Sequence, residues 1–303
     1  MTAAASPTIT VVTPCFNRVH TLPTTMESVL GQSGPFTLEY AVIDGGSTDG
    51  TVELIRARAD RLAYWSSEPD RGMYHAIAKG FAHTRGEIMA WLNSDDTYFP
   101  WTLSTVARIF SDVPEVEWIS SLTPITGDMG GDITQVHRHA GFSRDAFVDG
   151  QYLGFGGGGN PYATEFIQQE SCFWRRGLFD KIDRASWTDF RAAGDFALWC
   201  QLYRHADLRG VDAPLACFRR HDQQISSDAT SYAQEAMTAL QRLRAETGWQ
   251  PHDISQPHRI YVGQVVVKDN PRDPASRWKA GERQFVALRR SDIKQLIYNA
   301  QVF

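Results

Sequence analysis

Apolar residues along the first 120 positions switch repeatedly between two spacings. Short β-branched runs mark strands, and recurrence every three to four residues marks helices. Ile9 to Phe16 (ITVVTPCF) reads as a strand stopped by Pro14. Leu22, Met26, Val29 and Leu30 follow at helical spacing. Leu38 to Ile43 predicts a second strand. Val52, Ile55, Ala59 and Leu62 predict a second helix, with Ser47, Thr48 and Asp49 as candidate caps. Leu62 to Trp65 reads as a third strand, and Met73, Ala76, Ile77, Gly80 and Phe81 as a third helical stripe. Ile88 to Leu92, then Leu103, Val106 and Phe110, complete a fourth pair. Four strand-then-helix units predict an α/β fold with a mainly parallel sheet flanked by helices. Ligands on such sheets sit at the carboxyl ends of the strands, so the loops that follow the strands are where chemistry is expected.

The rest of the chain is less periodic. Gly127 to Gly131 and Gly154 to Gly159 are glycine-rich; the second reads as a mobile loop, with a substrate lid as the sharper alternative. Asp195 to Ala206 predicts a helix, Leu215 to Phe218 a short strand and Asp228 to Thr247 one long helix. Beyond these, Tyr261 to Val267 reads as a strand and Ile293 to Ala300 as a terminal helix. No internal repeat is visible.

Composition narrows the classes. The chain has 303 residues and a net charge of −5, too acidic to hold nucleic acid by electrostatics alone. Mean hydropathy is −0.34, and no apolar run approaches the ~20 residues of a spanning helix. No basic-then-apolar leader opens the chain. Cys15, Cys172, Cys200 and Cys217 form no C-x-x-C pair and read as scattered thiols in a reducing compartment. The expected location is cytoplasmic. Arg289 and Arg290 beside Leu296 and Ile297 permit peripheral contact with the inner face of the cytoplasmic membrane.

Familiar signatures are missing: no G-x-x-x-x-G-K-[ST], no G-x-G-x-x-G after the first strand, no H-E-x-x-H. GGSTDG misses the G-x-S-x-G elbow because Asp49 takes the second glycine position. Acids occupy the strand ends instead. The four loops read TPCFNR, DGGSTDGT, SEPDRGMYHAIAKG and NSDD. Asp44 reads as an acceptor for a base N–H, with glycines that let a flat ring approach the backbone. Asp95 and Asp96 read as oxygen ligands for Mg²⁺ or Mn²⁺, able to neutralise a leaving diphosphate. Arg71 and Lys79 flank the same edge; either could touch phosphate, though each alone is more often a solvated surface charge.

The ordered set TPCFN, DGGSTDGT, SEPDRGMYHAIAKG, LNSDD, QQESCFWRR and AAGDFALW resembles the family 2 glycosyltransferases of the GT-A fold. The resemblance covers roughly Ile9 to Phe110 and Phe166 to Ser226. It implies a Rossmann-like sheet with an acceptor-side region. The implied domains are a transferase unit at 1–226, halved into a nucleotide-sugar part (1–112) and an acceptor part (113–226), and a mostly helical C-terminal extension at 227–303. It implies transfer of a sugar, with inversion, from a nucleoside diphosphate donor, most simply a UDP-sugar. The acceptor would be a hydroxyl of a glycan or lipid-linked sugar, in bacterial surface glycan or glycoconjugate synthesis. Carried over to this chain, Thr13, Pro14, Phe16, Asn17, Asp44, Gly46 and Ser47 would hold the nucleotide. Asp70, Arg71, Gly72, Lys79, Asn93, Ser94 and Asp95 would hold the rest of the donor, Asp95 near the ribose. Asp96 would ligate the metal, assisted by Asp95 and by His221 from FRRHDQQIS. Asp195 stands where the family keeps its catalytic base, and Glu170 lies in the acceptor-facing segment. The chain departs from the common Y-D-A-M-N-K-G, because His75 replaces the acid and Ala78 the amide, and its metal motif begins with Asn93.

In-line displacement needs a general base on the acceptor side and charge stabilisation on the leaving side. Asp195 is the first choice of base, and Glu170 is its rival. Arg219 and Arg220 are further diphosphate candidates, and Trp91, Trp174 and Trp199 are candidates to stack on sugar, with Trp199 better placed as core. Two alternatives stay open: a sugar-nucleotide-forming nucleotidyltransferase, and a non-catalytic sugar-nucleotide-binding protein. A two-carboxylate glycoside hydrolase would have no use for a nucleotide pocket.

Overall fold

The computed structural model describes residues 6–153, 165–183, 185–221, 224, 228–250, 258–267 and 278–287. The first strands are β1 (Thr8–Cys15), β2 (Thr37–Asp44), β3 (Tyr64–Ser67), β4 (Ile88–Trp91) and β5 (Thr97–Tyr98). Next come β6 (Trp118–Ser121), β7 (Ile125–Gly127), β8 (Ile133–Val136), β9 (Phe173–Arg175), β10 (Leu208–Val211) and β11 (Ala216–Arg219). A hairpin, β12 (His258–Val267) and β13 (Trp278–Ala287), follows. The helices are α1 (Leu22–Leu30), α2 (Thr51–Arg56), α3 (Met73–Ala82), α4 (Thr102–Asp112) and α5 (Arg144–Val148). They continue with α6 (Arg176–Phe179), α7 (Ala185–Thr188), α8 (Gly194–Tyr203) and α9 (Ala229–Thr247).

The main sheet runs β13-β12-β10-β6-β9-β4-β1-β2-β3, and a second runs β5-β11-β7-β8. In the main sheet only β9 and β13 run antiparallel to their neighbours. This is the expected mainly parallel α/β sheet. The register aligns Cys15 with Asp44, and Asp44 with Ser67, so the first three loops start side by side at one edge.

Alternation along the strands divides the core into two layers. Ile9 and Val11 of β1, Val42 of β2 and Ala90 of β4 pack toward α1 and α4, with Met26, Val29, Val106 and Phe110. Val12, Ile43, Met89 and Trp91 pack toward α3, α8 and α9, with Ile77, Phe81, Trp199 and Leu240. The second layer holds a tryptophan stack: Trp91 and Trp199 lie 5.8 Å apart, nearly parallel. Trp91, Trp174 and Trp199 are all fully buried, so none of these candidate sugar platforms reaches a ligand.

Several expectations change. β1 runs through Pro14 to Cys15, because β4 pairs only with Ile9 to Val12 and the ladder is one-sided where Pro14 sits. The second helical stripe is shared between α2 and a 3₁₀ turn at Ala59–Arg61. Among the described residues of the extension read as mostly helical are one long helix and a hairpin, whose β12 pairs with β10 and so continues the main sheet. The glycine-rich stretch 154–159, the basic pair Arg289 and Arg290 and the expected terminal helix at 293–300 lie outside the described residues.

Candidate active site

The loops after β1 and β2 are clipped together. Asn17 sits at φ +53°, a left-handed conformation that Asn tolerates better than most residues. Its N–H donates to Ser47 Oγ at 2.7 Å, and its Oδ1 accepts Thr48 N–H at 3.0 Å. Asp44 is fully buried at the end of β2. Its Oδ2 accepts from Gly46 N–H (3.0 Å), Ser47 N–H (2.9 Å) and Ser67 Oγ (2.7 Å), while Ser47 Oγ donates to Oδ1. The carboxylate read as a base acceptor therefore spends its lone pairs on the turn. Thr13 is buried too and accepts the Tyr40 hydroxyl at 2.9 Å, and Pro14 is inside β1. The loop's exposed aromatic is Phe16, at 57 % exposure. A Cβ at Gly45 would stand 3.4 Å from the Phe16 ring and 3.2 Å from Asp70 Oδ2, so the three loops meet at that glycine.

The third loop is more open. Asp70 Oδ1 accepts Gly72 N–H at 2.8 Å, which turns the chain into α3. Arg71 is exposed and lies 3.2 Å from His75 Nδ1. Lys79 pairs with the exposed Glu68.

The two acids after β4 separate. Asp95 Oδ2 and His221 Nε2 lie 2.9 Å apart, with side chains 14 % and 16 % exposed. Asp96 turns inward and is fully buried; its Oδ1 accepts the Arg219 backbone N–H at 3.0 Å. Burial raises the Asp96 carboxyl well above the usual range, and the charges of Glu170 and Asp95 add to this. The acid expected to be the primary metal ligand is thus buried against the Arg219 backbone, and its neighbour faces the histidine. Ser94 is buried as well. Arg219 is 4 % exposed and donates through Nε to the Asp95 carbonyl and through Nη2 to the Thr21 carbonyl at 3.3 Å. It clamps the acidic loop from inside rather than reaching for phosphate. Arg220 is exposed.

A 3₁₀ turn at Gln169–Ser171 lies against the same loop. Gln169 Nε2 donates to the Trp91 carbonyl at 2.9 Å and its Oε1 accepts Asn93 Nδ2 at 3.3 Å. Glu170 follows, buried, with Oε1 making no hydrogen bond. Burial pushes its carboxyl up to about 7, and the charges of Asp195 and Asp95 contribute.

Asp195 occupies the first turn of α8 and is half-buried. Its Oδ1 accepts Phe196 N–H at 2.7 Å, and the Tyr232 hydroxyl approaches Oδ2 at 3.4 Å. Burial outweighs these hydrogen bonds and pushes its carboxyl up to about 6. The segment before it is held by Glu235, whose Oε2 accepts the N–H groups of Arg191 (3.1 Å), Ala192 (2.8 Å) and Ala193 (2.9 Å). The Tyr74 hydroxyl takes the Ala192 carbonyl at 2.9 Å. Tyr232 and Glu235 share one face of α9, three residues apart. The residue pattern gave no warning of them, because they act through partners some 40 positions upstream. Gln169 sits within the QQES string and was legible there only as a neighbour of Glu170.

Residues 10–180 match the model of glycosyl transferase family 2. The chain belongs to that family. An uncharacterized glycosyltransferase of Mycobacterium tuberculosis is 41% identical over 94 residues, 31% of this chain and 36% of the relative. A PGL/p-HBAD biosynthesis glycosyltransferase of the same species is 28% identical over 182 residues, 59% of this chain and 63% of the relative. The matched part thus spans between about a third and under two thirds of these relatives' lengths. The structure is similar to S. aureus TarS in complex with UDP-GlcNAc, at TM-score 0.56 and 15% identity, covering 78% of this chain and 66% of that one. It is also similar to the mannosyltransferase PcManGT of Pyrobaculum calidifontis in complex with GDP-Man and Mn²⁺, at TM-score 0.50 and 16% identity, covering 81% and 76%. These likenesses establish the fold. Asp195, His221, Tyr232 and Glu235 lie beyond the family match. No helix among the described residues is long and apolar enough to cross a membrane.

Proposed function

We propose that the chain is a metal-dependent inverting glycosyltransferase that moves a sugar from a nucleoside diphosphate donor, in the first instance a UDP-sugar, to an acceptor hydroxyl. The observation that carries this reading is the gathering of acids beyond the strand ends. Asp95 pairs with an imidazole, and the buried Glu170, which feels the charges of both Asp95 and Asp195, shares with Asp195 a raised carboxyl group.

Asp95 and His221 supply one oxygen and one nitrogen donor, a set that suits Mn²⁺ or Mg²⁺ completed by phosphate oxygens and water. When bound, such a cation stabilises the charge that develops on the leaving diphosphate. Phe16 offers a face for the base, within a loop that Asn17, Asp44 and Ser47 hold in shape. Arg71 is the exposed cation nearest the α3 entrance and is placed to meet phosphate. Asp195 is the base: Glu235 and Tyr232 fix it, and a carboxylate titrating near 6 is ionised yet basic at neutral pH. Glu170 faces the acceptor. The acceptor is a sugar hydroxyl of a glycan or lipid-linked glycan. The test is release of nucleoside diphosphate from UDP-, GDP- and dTDP-sugars with and without Mn²⁺. Release from one donor only when metal is present supports the proposal. Release from none, with or without a glycan acceptor, overturns it.

A further inference from the structure

Away from the acidic loop, a second group of ligating side chains converges in the small sheet. The segment after β8 continues its ladder: His137 N–H donates to the Pro124 carbonyl at 2.9 Å and His139 N–H to the Leu122 carbonyl at 2.8 Å. Residues two apart in an extended segment share a face. His137 and His139 therefore point one way, while Arg138 between them reaches Asp212 at 3.2 Å. Glu165 arrives from the distant acceptor-side segment, and its Oε2 lies 2.5 Å from His139 Nδ1 and 3.3 Å from His137 Nε2. One ligating atom from each of the three residues falls within 4.8 Å of the others. Phe166 packs on both imidazoles, at 5.5 and 5.3 Å, and Phe142 on His139 at 5.3 Å.

Hydrogen bonding alone leaves this group incomplete. A neutral imidazole carries one N–H and one lone pair. If both imidazoles donate to Glu165, each keeps a lone pair on its other ring nitrogen, His137 Nδ1 and His139 Nε2. The structure records one such orphan: His139 Nε2 is buried and has no partner, in a side chain only 1 % exposed. Among the described residues no Lys or Arg pairs with Glu165. His139 Nε2 lies across the ring from the Nδ1 that meets Glu165, so a cation among the three residues would take Nδ1 and leave Nε2 to carry the imidazole proton toward a water.

We propose that His137, His139 and Glu165 form a binding site for a divalent cation of the zinc class. Two imidazoles and one carboxylate are the ligand set that borderline cations take in preference to Mg²⁺ or Ca²⁺. Ligand atoms held about 2.0–2.2 Å from a common ion lie no more than about 4 Å apart, so small side-chain rotations close the group around one. Three protein ligands leave a fourth position for water. The cation ties the edge of the small sheet to the segment that leads, five residues later, to Glu170. It is separate from the Asp95–His221 centre and does not depend on the transferase reading.

The experiment is metal analysis of the full chain after equilibration with Zn²⁺ and gel filtration without nucleotide. X-ray absorption at the zinc edge counts the imidazoles, and Co²⁺ substitution supplies visible absorption. The wild type and Asp95→Asn should each retain one zinc with two imidazoles in its shell. His137→Ala and Glu165→Gln should each lose it while keeping the wild-type far-UV circular dichroism spectrum. Zinc should raise the wild-type melting temperature and leave that of His137→Ala unmoved. Absence of retained zinc in the wild type overturns the proposal. So does zinc that is lost in Asp95→Asn but kept in Glu165→Gln, or a shell with fewer than two imidazoles. Should either variant fail to fold, the wild-type stoichiometry and imidazole count decide alone.

Discussion

The Asp96 carboxylate has no exposed surface and accepts the Arg219 N–H at 3.0 Å, while the Asp95 carboxylate next to it meets His221. Adjacent residues in a turn point apart, and here the division gives one acid to the fold and one to the ligand side. Asp96→Ala should therefore act mainly on stability, leaving a buried N–H unpaired at a cost of about 1–3 kcal/mol. Thermal unfolding reads this directly. Asp95→Asn should keep the wild-type melting temperature and lose all response to Mn²⁺. Glu170 and Asp195 are separated by titration. Burial raises both, to about 7 and about 6. A protonated carboxyl cannot act as base, so the rate should rise with pH through the value of whichever group serves. With Asp195 as base, kcat climbs near pH 6 and levels above it, and Asp195→Asn removes both the limb and most of the rate. A limb near 7 that vanishes in Glu170→Gln would give the role to Glu170 instead.

At the scale of elements, α8 carries Asp195, the proposed base, and α9 holds it and the segment before it in place. Glu235 gathers three consecutive backbone N–H groups just ahead of α8. A carboxylate there satisfies the backbone donors of the loop that leads into α8 and sits at the positive end of that helix. Glu235→Ala should lower kcat with little change in donor affinity, measured by steady-state kinetics against nucleotide binding. Gly194 is the other constraint: a Cβ there would lie 2.6 Å from the Tyr74 ring. Gly194→Ala should cost about 1–3 kcal/mol through overpacking and reduce activity together with stability. These couplings mark where sequence reading runs out. The strand and helix stripes from Ile9 to Phe110 are long and periodic, and the structure contains them nearly in place. Strands β6, β9 and β10 have only three or four residues each, too few for a period to show, and their identity comes from pairing with distant partners.

In the whole molecule, the site is assembled from segments the chain keeps far apart. Asp95 and His221 are 126 residues apart in sequence, and Asp96 and Arg219 are 123 apart. The acids were legible as motifs: NSDD, QQES and AAGD each contain a residue that reaches the site. Their division of labour was not, because burial decides it and burial is a property of the closed fold. The same holds for Asp44, whose motif is plain but whose oxygens serve the turn. The most direct measurement is thermal unfolding of wild type and Asp95→Asn with UDP, GDP, dTDP or CMP, each with and without Mn²⁺. A ligand at 100 times its dissociation constant stabilises by about 2.7 kcal/mol, a shift readily seen. A rise with one nucleoside diphosphate, present only with Mn²⁺ and absent in Asp95→Asn, is the predicted result and names the donor class. An equal rise without metal, or a rise that survives Asp95→Asn, would contradict the assignment of Asp95 and His221 as the metal centre of a nucleotide-sugar site.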